Sequence, residues 1–143
     1  MELFTTVSFS DQATPIDHSS KILALGSCFA EHIGGLLGKN YFDTVLNPFG
    51  ISYHPLVIHK QLLRLINNES YELSDLENRN ELWHSWDHHG RFSHLEQRMT
   101  LNKINAEFKA AQKHLEDLDY LILTFGTAYG LSLIHISEPT RPY

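Results

Sequence analysis

The chain has 143 residues, 42% hydrophobic and 20% charged, which describes one ordinary soluble domain with a single core. Its net charge of −6 argues against a nucleic acid or an acidic membrane surface as partner, and no apolar run approaches the length of a membrane span. One cysteine makes no internal disulfide, and the opening MELFTTVSFSDQ has neither the basic nor the apolar part of a secretory leader, so a cytoplasmic location is expected.

Glu2–His18 alternates weakly through Phe4, Val7 and Phe9 and turns at Pro15, an extended opening segment. Ile22-Leu23-Ala24-Leu25 is a short apolar run suited to a strand buried on both faces, giving a first strand over Lys21–Leu25. Gly26 breaks it. Phe29, Ile33, Leu36 and Leu37 then recur at helical spacing and predict a helix over Phe29–Gly38, ended by Gly34 and Gly35 or by Gly38. Phe42–Leu46 reads as a second strand stopped by Asn47-Pro48. Pro55–Ile66 reads as a helix with a broad apolar face of Leu56, Ile58, Leu62, Leu63, Leu65 and Ile66. Tyr71–Asn80 is polar loop with a helical turn, and Trp83–Phe92 suits one or two strands. Thr100–Leu118 is the clearest helix, capped by Thr100 or Asn102, with a stripe of Ile104, Phe108, Ala111 and Leu115. Tyr120–Phe125 is the third core strand, apolar nearly throughout and closed by Gly126.

Apolar strands alternating with amphipathic helices imply a parallel sheet in an α/β domain, a three-layer α/β/α sandwich. In such sheets ligands sit beyond the carboxyl ends of the strands. Ser27 and Cys28, Asn47–Gly50 and Gly126–Ala128 each follow a predicted strand, so the pattern gathers them at one edge. The first N–H groups of a helix lack internal partners and carry the positive end of its dipole. A hydroxyl or thiol placed there is exposed, and an oxyanion beside it meets donors already aimed at it. The plainer account makes Ser27 a helix cap and Cys28 a small buried hydrophobe.

The stretch LGSCFAEHIG resembles the signature of the GSCFA family, which is similar to the SGNH (GDSL-type) ester hydrolases. Asn47-Pro48-Phe49-Gly50, the WDHHGRFS run at Trp86–Ser93, and Leu123–Ala128 match the same family in the same order. The resemblance implies an SGNH- or flavodoxin-like sandwich over residues 1–130, incomplete at its C-terminal side, and covalent hydrolysis of an acyl ester or acylated carbohydrate. One register puts Cys28 at the nucleophile position and another puts Ser27 there; a thiol at a helix N-terminus is the better nucleophile at neutral pH. Gly50 resembles the glycine whose N–H supplies a second oxyanion donor, though NPFG is also plain turn chemistry. Gly126 and Thr127 resemble the third block, but Ala128 stands where those enzymes have Asn. That donor is either missing or replaced by Thr127 or Asn47.

Such enzymes take their base from an Asp-x-x-His segment near the end of the domain. Leu131–Tyr143 instead resembles the translation of a sequencing adapter, a non-native tail whose His135 and Glu138 are no catalytic partners. The base is therefore expected to be missing from this chain, and sustained ester turnover with it. His84, Asp87, His88, His89 and His94 invite a metal reading, since His84 and His88 are four apart. The run is a poor helix, however, and alternation sends His88 and His89 to opposite faces. The expectation is no metal and no other cofactor, with Trp86, His88 and His89 contacting a sugar or acyl substrate by stacking and hydrogen bonds, or else the run forming a solvated polar strand. The alternatives are a non-catalytic carbohydrate-binding or scaffold domain on the same fold, and an acyltransferase in which an alcohol replaces water.

Overall fold

In the computed structural model, which describes residues 15–127, 129–130 and 138–139, the chain begins with β1 (Lys21–Gly26), α1 (Cys28–Lys39), β2 (Asp43–Leu46) and α2 (Pro55–Ile66). It continues with a hairpin of β3 (Glu77–Arg79) and β4 (Leu82–His84), then α3 (Gln97–Leu115), β5 (Tyr120–Thr124), and a short antiparallel pair of β6 (Tyr129–Gly130) and β7 (Glu138–Pro139). Most of the expected opening segment and of the expected tail lies outside the described residues.

The main sheet has the order β2-β1-β5, parallel throughout. β1 is its centre, and Ile22, Leu23, Ala24 and Leu25 are each at most 1% exposed. Strand alternation divides them between two layers. Leu23 and Leu25 join Phe49, Ile58, Leu65, Ile104, Phe108 and Ala111 in the main core, under α2 and α3. Ala24 faces the other way with its register partner Leu46, and Leu46 packs against Gly34 of α1. Helices thus cover both faces of the sheet, and the molecule is the three-layer α/β sandwich expected.

Several elements depart from their predicted form for identifiable reasons. α1 runs through Gly34, Gly35 and Gly38 to Lys39 instead of stopping at a glycine. At Gly34 a side chain is what the packing forbids, since an added Cβ would lie 2.6 Å from the Leu46 Cδ1. Ser27 caps α1, accepting the Phe29 N–H at 3.3 Å. α2 has the predicted bounds and is started by Pro55 and a His54 cap, but its apolar face is only half used: Leu56 and Ile66 remain exposed. Between Trp83 and Phe92 only Trp83 and His84, the end of β4, are strand. The Ser85 hydroxyl and carbonyl accept the Asp87 and His88 N–H groups, and that local turn ends the extended run. α3 starts earlier than predicted, so Thr100 lies inside it, fully buried, its hydroxyl on the Trp83 carbonyl. β5 is less buried than an apolar strand suggests: its Leu121 is exposed, as is Phe125 just beyond it.

Candidate functional site

The carboxyl ends of β1, β2 and β5 are laced together by hydrogen bonds. The Ser27 N–H donates to the Thr124 carbonyl at 3.1 Å and lies 3.0 Å from the Thr124 hydroxyl. The Ser52 N–H donates to the Gly26 carbonyl at 2.9 Å, and the Gly126 N–H to the Tyr53 carbonyl at 2.9 Å. Each turn therefore holds another in place, and the three sequence-predicted loops meet at one rim. Gly26 is required there: its φ is +136°, and a Cβ would collide with the Thr124 carbonyl.

Asn47 is the hub of this rim. It is fully buried, with φ +42°, a conformation that Asn tolerates better than most residues. Its N–H donates to the Ala24 carbonyl at 2.8 Å, and its Oδ1 accepts the Gly26 N–H at 2.9 Å. Its Nδ2 donates to Glu31 Oε2 at 2.7 Å. The Asn47 carbonyl accepts the Gly50 N–H at 2.7 Å and the Arg91 guanidinium at 2.8 Å. Glu31 also lies 3.9 Å from Arg91, closing a ring between α1, the β2 turn and the WDHHGRFS loop. As a spare oxyanion donor Asn47 is a poor candidate, since its amide already serves these partners.

Ser27 and Cys28 occupy different environments. Ser27 is 7% exposed, and its Oγ takes the Phe29 N–H and lies 2.9 Å from the Thr124 Oγ1. Cys28 is exposed as the first residue of α1 and borders a shallow depression with Glu31, His32 and Gly35. The Glu31 N–H donates to the Ser27 carbonyl, beginning the helical ladder. The N–H groups of Cys28 and Ala30 therefore have no acceptor within the helix.

The other predicted residues divide between the rim and a neighbouring loop. The Gly50 and Gly126 N–H groups donate within the rim, as above, and both glycines are places of close approach. Gly50, at φ +87°, abuts His89, and a Cβ on Gly126 would lie 2.7 Å from the Tyr53 ring. Thr127 is exposed, while Ala128 lies outside the described residues. His89 turns toward the rim, its N–H donating to the Phe49 carbonyl at 2.9 Å. His88 turns the opposite way, into a cage of Phe49, Tyr71 and Phe92, with ring centroids 4.6–5.4 Å apart. Its Nδ1 meets the Ser85 hydroxyl at 3.0 Å, and its Nε2 is buried without a partner. Burial outweighs the opposing pull of Asp87 and brings the His88 pKa down to about 4, so the ring is neutral at physiological pH. Trp86 is exposed and sets its ring edge-to-face with His84 at 4.8 Å.

The same loop is anchored to α2 by charge. Asp87 lies 2.7 Å from Lys60 and 3.4 Å from Arg64, and Arg64 also reaches Asp75 at 3.0 Å and stacks 3.7 Å from the Tyr71 ring centre. Burial, with Asp87 nearby, pushes the Tyr71 hydroxyl well above its ordinary pKa. Asp87 is thus an ion-pair partner, and among the described residues no group of three or more His, Cys, Asp or Glu side chains is arranged to hold a metal ion.

Sequence reasoning missed Thr124, Glu31 and Arg91. A signal existed for the first, since Thr124 is the one hydroxyl between Leu121 and Phe125 in an apolar strand. Glu31, four residues after Ser27, is a first-turn acid of the kind helices favour. Nothing local marks Arg91 as a partner of Asn47, because the contact spans 44 positions.

The model of the GSCFA family matches residues 21–137, running from β1 past Gly130. No curated protein and no solved structure matches the chain. Among the described residues no helix is long and apolar enough to cross a membrane. The match takes in the laced rim, the Asn47 hub and the loop packed on it, and the chain belongs to the GSCFA family.

Proposed function

We propose that this chain carries out acyl chemistry of the SGNH ester-hydrolase type at the Gly26-Ser27-Cys28 turn, on the ester of a small molecule or carbohydrate, with Cys28 as nucleophile. One observation carries the choice: Cys28 is exposed at the head of α1, whereas Ser27 is buried with its hydroxyl committed to Phe29 and Thr124. The Cys28 thiolate attacks the ester carbonyl carbon, forming a C–S bond while the carbonyl pair moves onto oxygen. That oxyanion is met by the N–H of Cys28 at the positive end of the helix, Cys28 being the exposed first residue of α1. Collapse expels the alkoxide, which takes a proton from water, and leaves a thioester. Releasing the acyl group then requires a base to activate water, or an alcohol in an acyl transfer.

A non-catalytic binding module on the same fold is the second reading. It is favoured by the Gly50 and Gly126 N–H groups, which already donate to the Asn47 and Tyr53 carbonyls. The two readings separate with p-nitrophenyl acetate and mass spectrometry of the digested protein. Acyl chemistry predicts one acetyl group on Cys28, formed at least about a hundredfold faster than on a free cysteine peptide, and lost in Cys28→Ala. A rate equal to that of the peptide supports the binding module. An acetyl group on Ser27 overturns the choice of nucleophile.

A further inference from the structure

The 85–93 loop has a second side. While His89 and Arg91 face the rim, Trp86, His88 and Ser93 line an open cleft of about 360 Å3 against Arg79, Asn80 and His84 of the hairpin. We propose that this cleft binds a sugar unit bearing a carboxylate, stacked on Trp86 with its charge toward Arg79.

Three observations carry the proposal. First, the cleft departs in charge from the rest of the molecule. The chain has 17 acidic against 11 basic residues, yet the lining holds Arg79 and two histidines and no carboxylate. Glu77 pairs with His84 across the hairpin but does not line the cleft. Arg79 is exposed and, among the described residues, makes no ion pair. A planar guanidinium in that state is a ready partner for a carboxylate. Second, Trp86 is 53% exposed while its ring is steadied edge-on by His84. Such an indole offers a face to the apolar side of a pyranose, and stacking there removes it from water. Third, the walls are already formed. Trp83 and His94 exchange backbone hydrogen bonds at 2.8 and 3.2 Å, tying the hairpin to the end of the loop, so little ordering is needed on binding. The volume falls in the lower part of the range for small-ligand sites.

The inference rests on the acyl-chemistry reading only in making this sugar the carrier of the ester; the binding stands by itself. The test is calorimetric titration of the chain with a trimer of galacturonic acid and with the neutral trimer of galactose. The acidic trimer is expected to bind about tenfold more tightly at low salt, with the gap narrowing as salt rises. Arg79→Gln should abolish that preference and leave the neutral trimer unaffected. Trp86→Ala should weaken both, and Trp86→Phe should restore part of the loss while keeping the core intact. No saturable heat with either trimer, equal binding of the two, or a preference that survives Arg79→Gln would each overturn the proposal. Cys28→Ala should bind as the unchanged chain does. In the unchanged chain, sugar binding without acylation of Cys28 counts against the nucleophile alone, and acylation without sugar binding counts against the cleft alone.

Discussion

The Asn47 side-chain carbonyl accepts the buried Gly26 N–H at 2.9 Å, so the end of the central strand is fixed by a residue 21 positions further along the chain. Asn47→Ala would leave that N–H without an acceptor and place a residue with no polar side chain at φ +42°. Together these should cost about 2–4 kcal/mol in denaturant unfolding. Asn47→Asp keeps the acceptor but sets a carboxylate against Glu31, replacing a 2.7 Å hydrogen bond with repulsion. It too should destabilise, and less so as pH falls and one of the acids is protonated.

Gly50→Ala tests the contact between the second turn and the loop. Its φ of +87° is strained for any L side chain, and the new methyl would strike His89. A loss of about 2 kcal/mol or more is expected, with hydrogen exchange fastest to rise over residues 85–93.

His88 gives the fold a dependence on pH. Its pKa falls from 6.5 unfolded to about 4 folded, mainly because burial disfavours the charged ring. The unfolded chain therefore binds the extra proton between those two values, and stability that is full above about pH 6.5 declines as pH drops toward 4. The 6.5-to-4 interval corresponds to roughly 3–4 kcal/mol. His88→Phe, which suits the same aromatic cage, should flatten the stability profile across that interval in urea titrations at stepped pH.

Ser27 and Cys28 should part company under mutation. Ser27→Ala removes the α1 cap and the Thr124 contact and should cost about 1 kcal/mol or slightly more. Cys28→Ala, at an exposed helix start, should change stability by less than about 0.5 kcal/mol. Iodoacetamide should give a single adduct on the folded protein, and thermal melts of both variants complete the comparison.

Arg64→Met keeps an unbranched apolar stem and removes the guanidinium with its charge. Asp87, 20% exposed at its side chain, would lose its inner cation and retain the outer Lys60 and the Tyr71 hydroxyl. A loss of about 2 kcal/mol is expected, with proteolysis first appearing in the loop that Asp87 anchors.

The sandwich was legible because its elements announce themselves in apolar spacing. Ile22–Leu25, the Pro55 start of α2 and the Ile104, Phe108, Ala111 stripe all stand where periodicity puts them. The gathering of the three turns followed from topology alone. What the sequence concealed depends on partners distant in the chain. That Gly34 continues a helix is decided by Leu46, that Thr100 sits inside α3 by the Trp83 carbonyl, and that Asn47 is a hub by Gly26, Glu31 and Arg91. The run from Trp83 to Phe92 misled because its aromatics suggest strand, while Ser85 supplies a competing local turn.

Because consecutive residues of the 85–93 loop look in opposite directions, genetic lesions within it are pleiotropic by construction. A change at His89 or Arg91 shifts the backbone that carries Trp86 and His88, and the reverse holds. Phenotypes mapped to this loop will therefore not by themselves name the surface at fault. Paired substitutions, one on each side, are needed to resolve which surface a given trait belongs to.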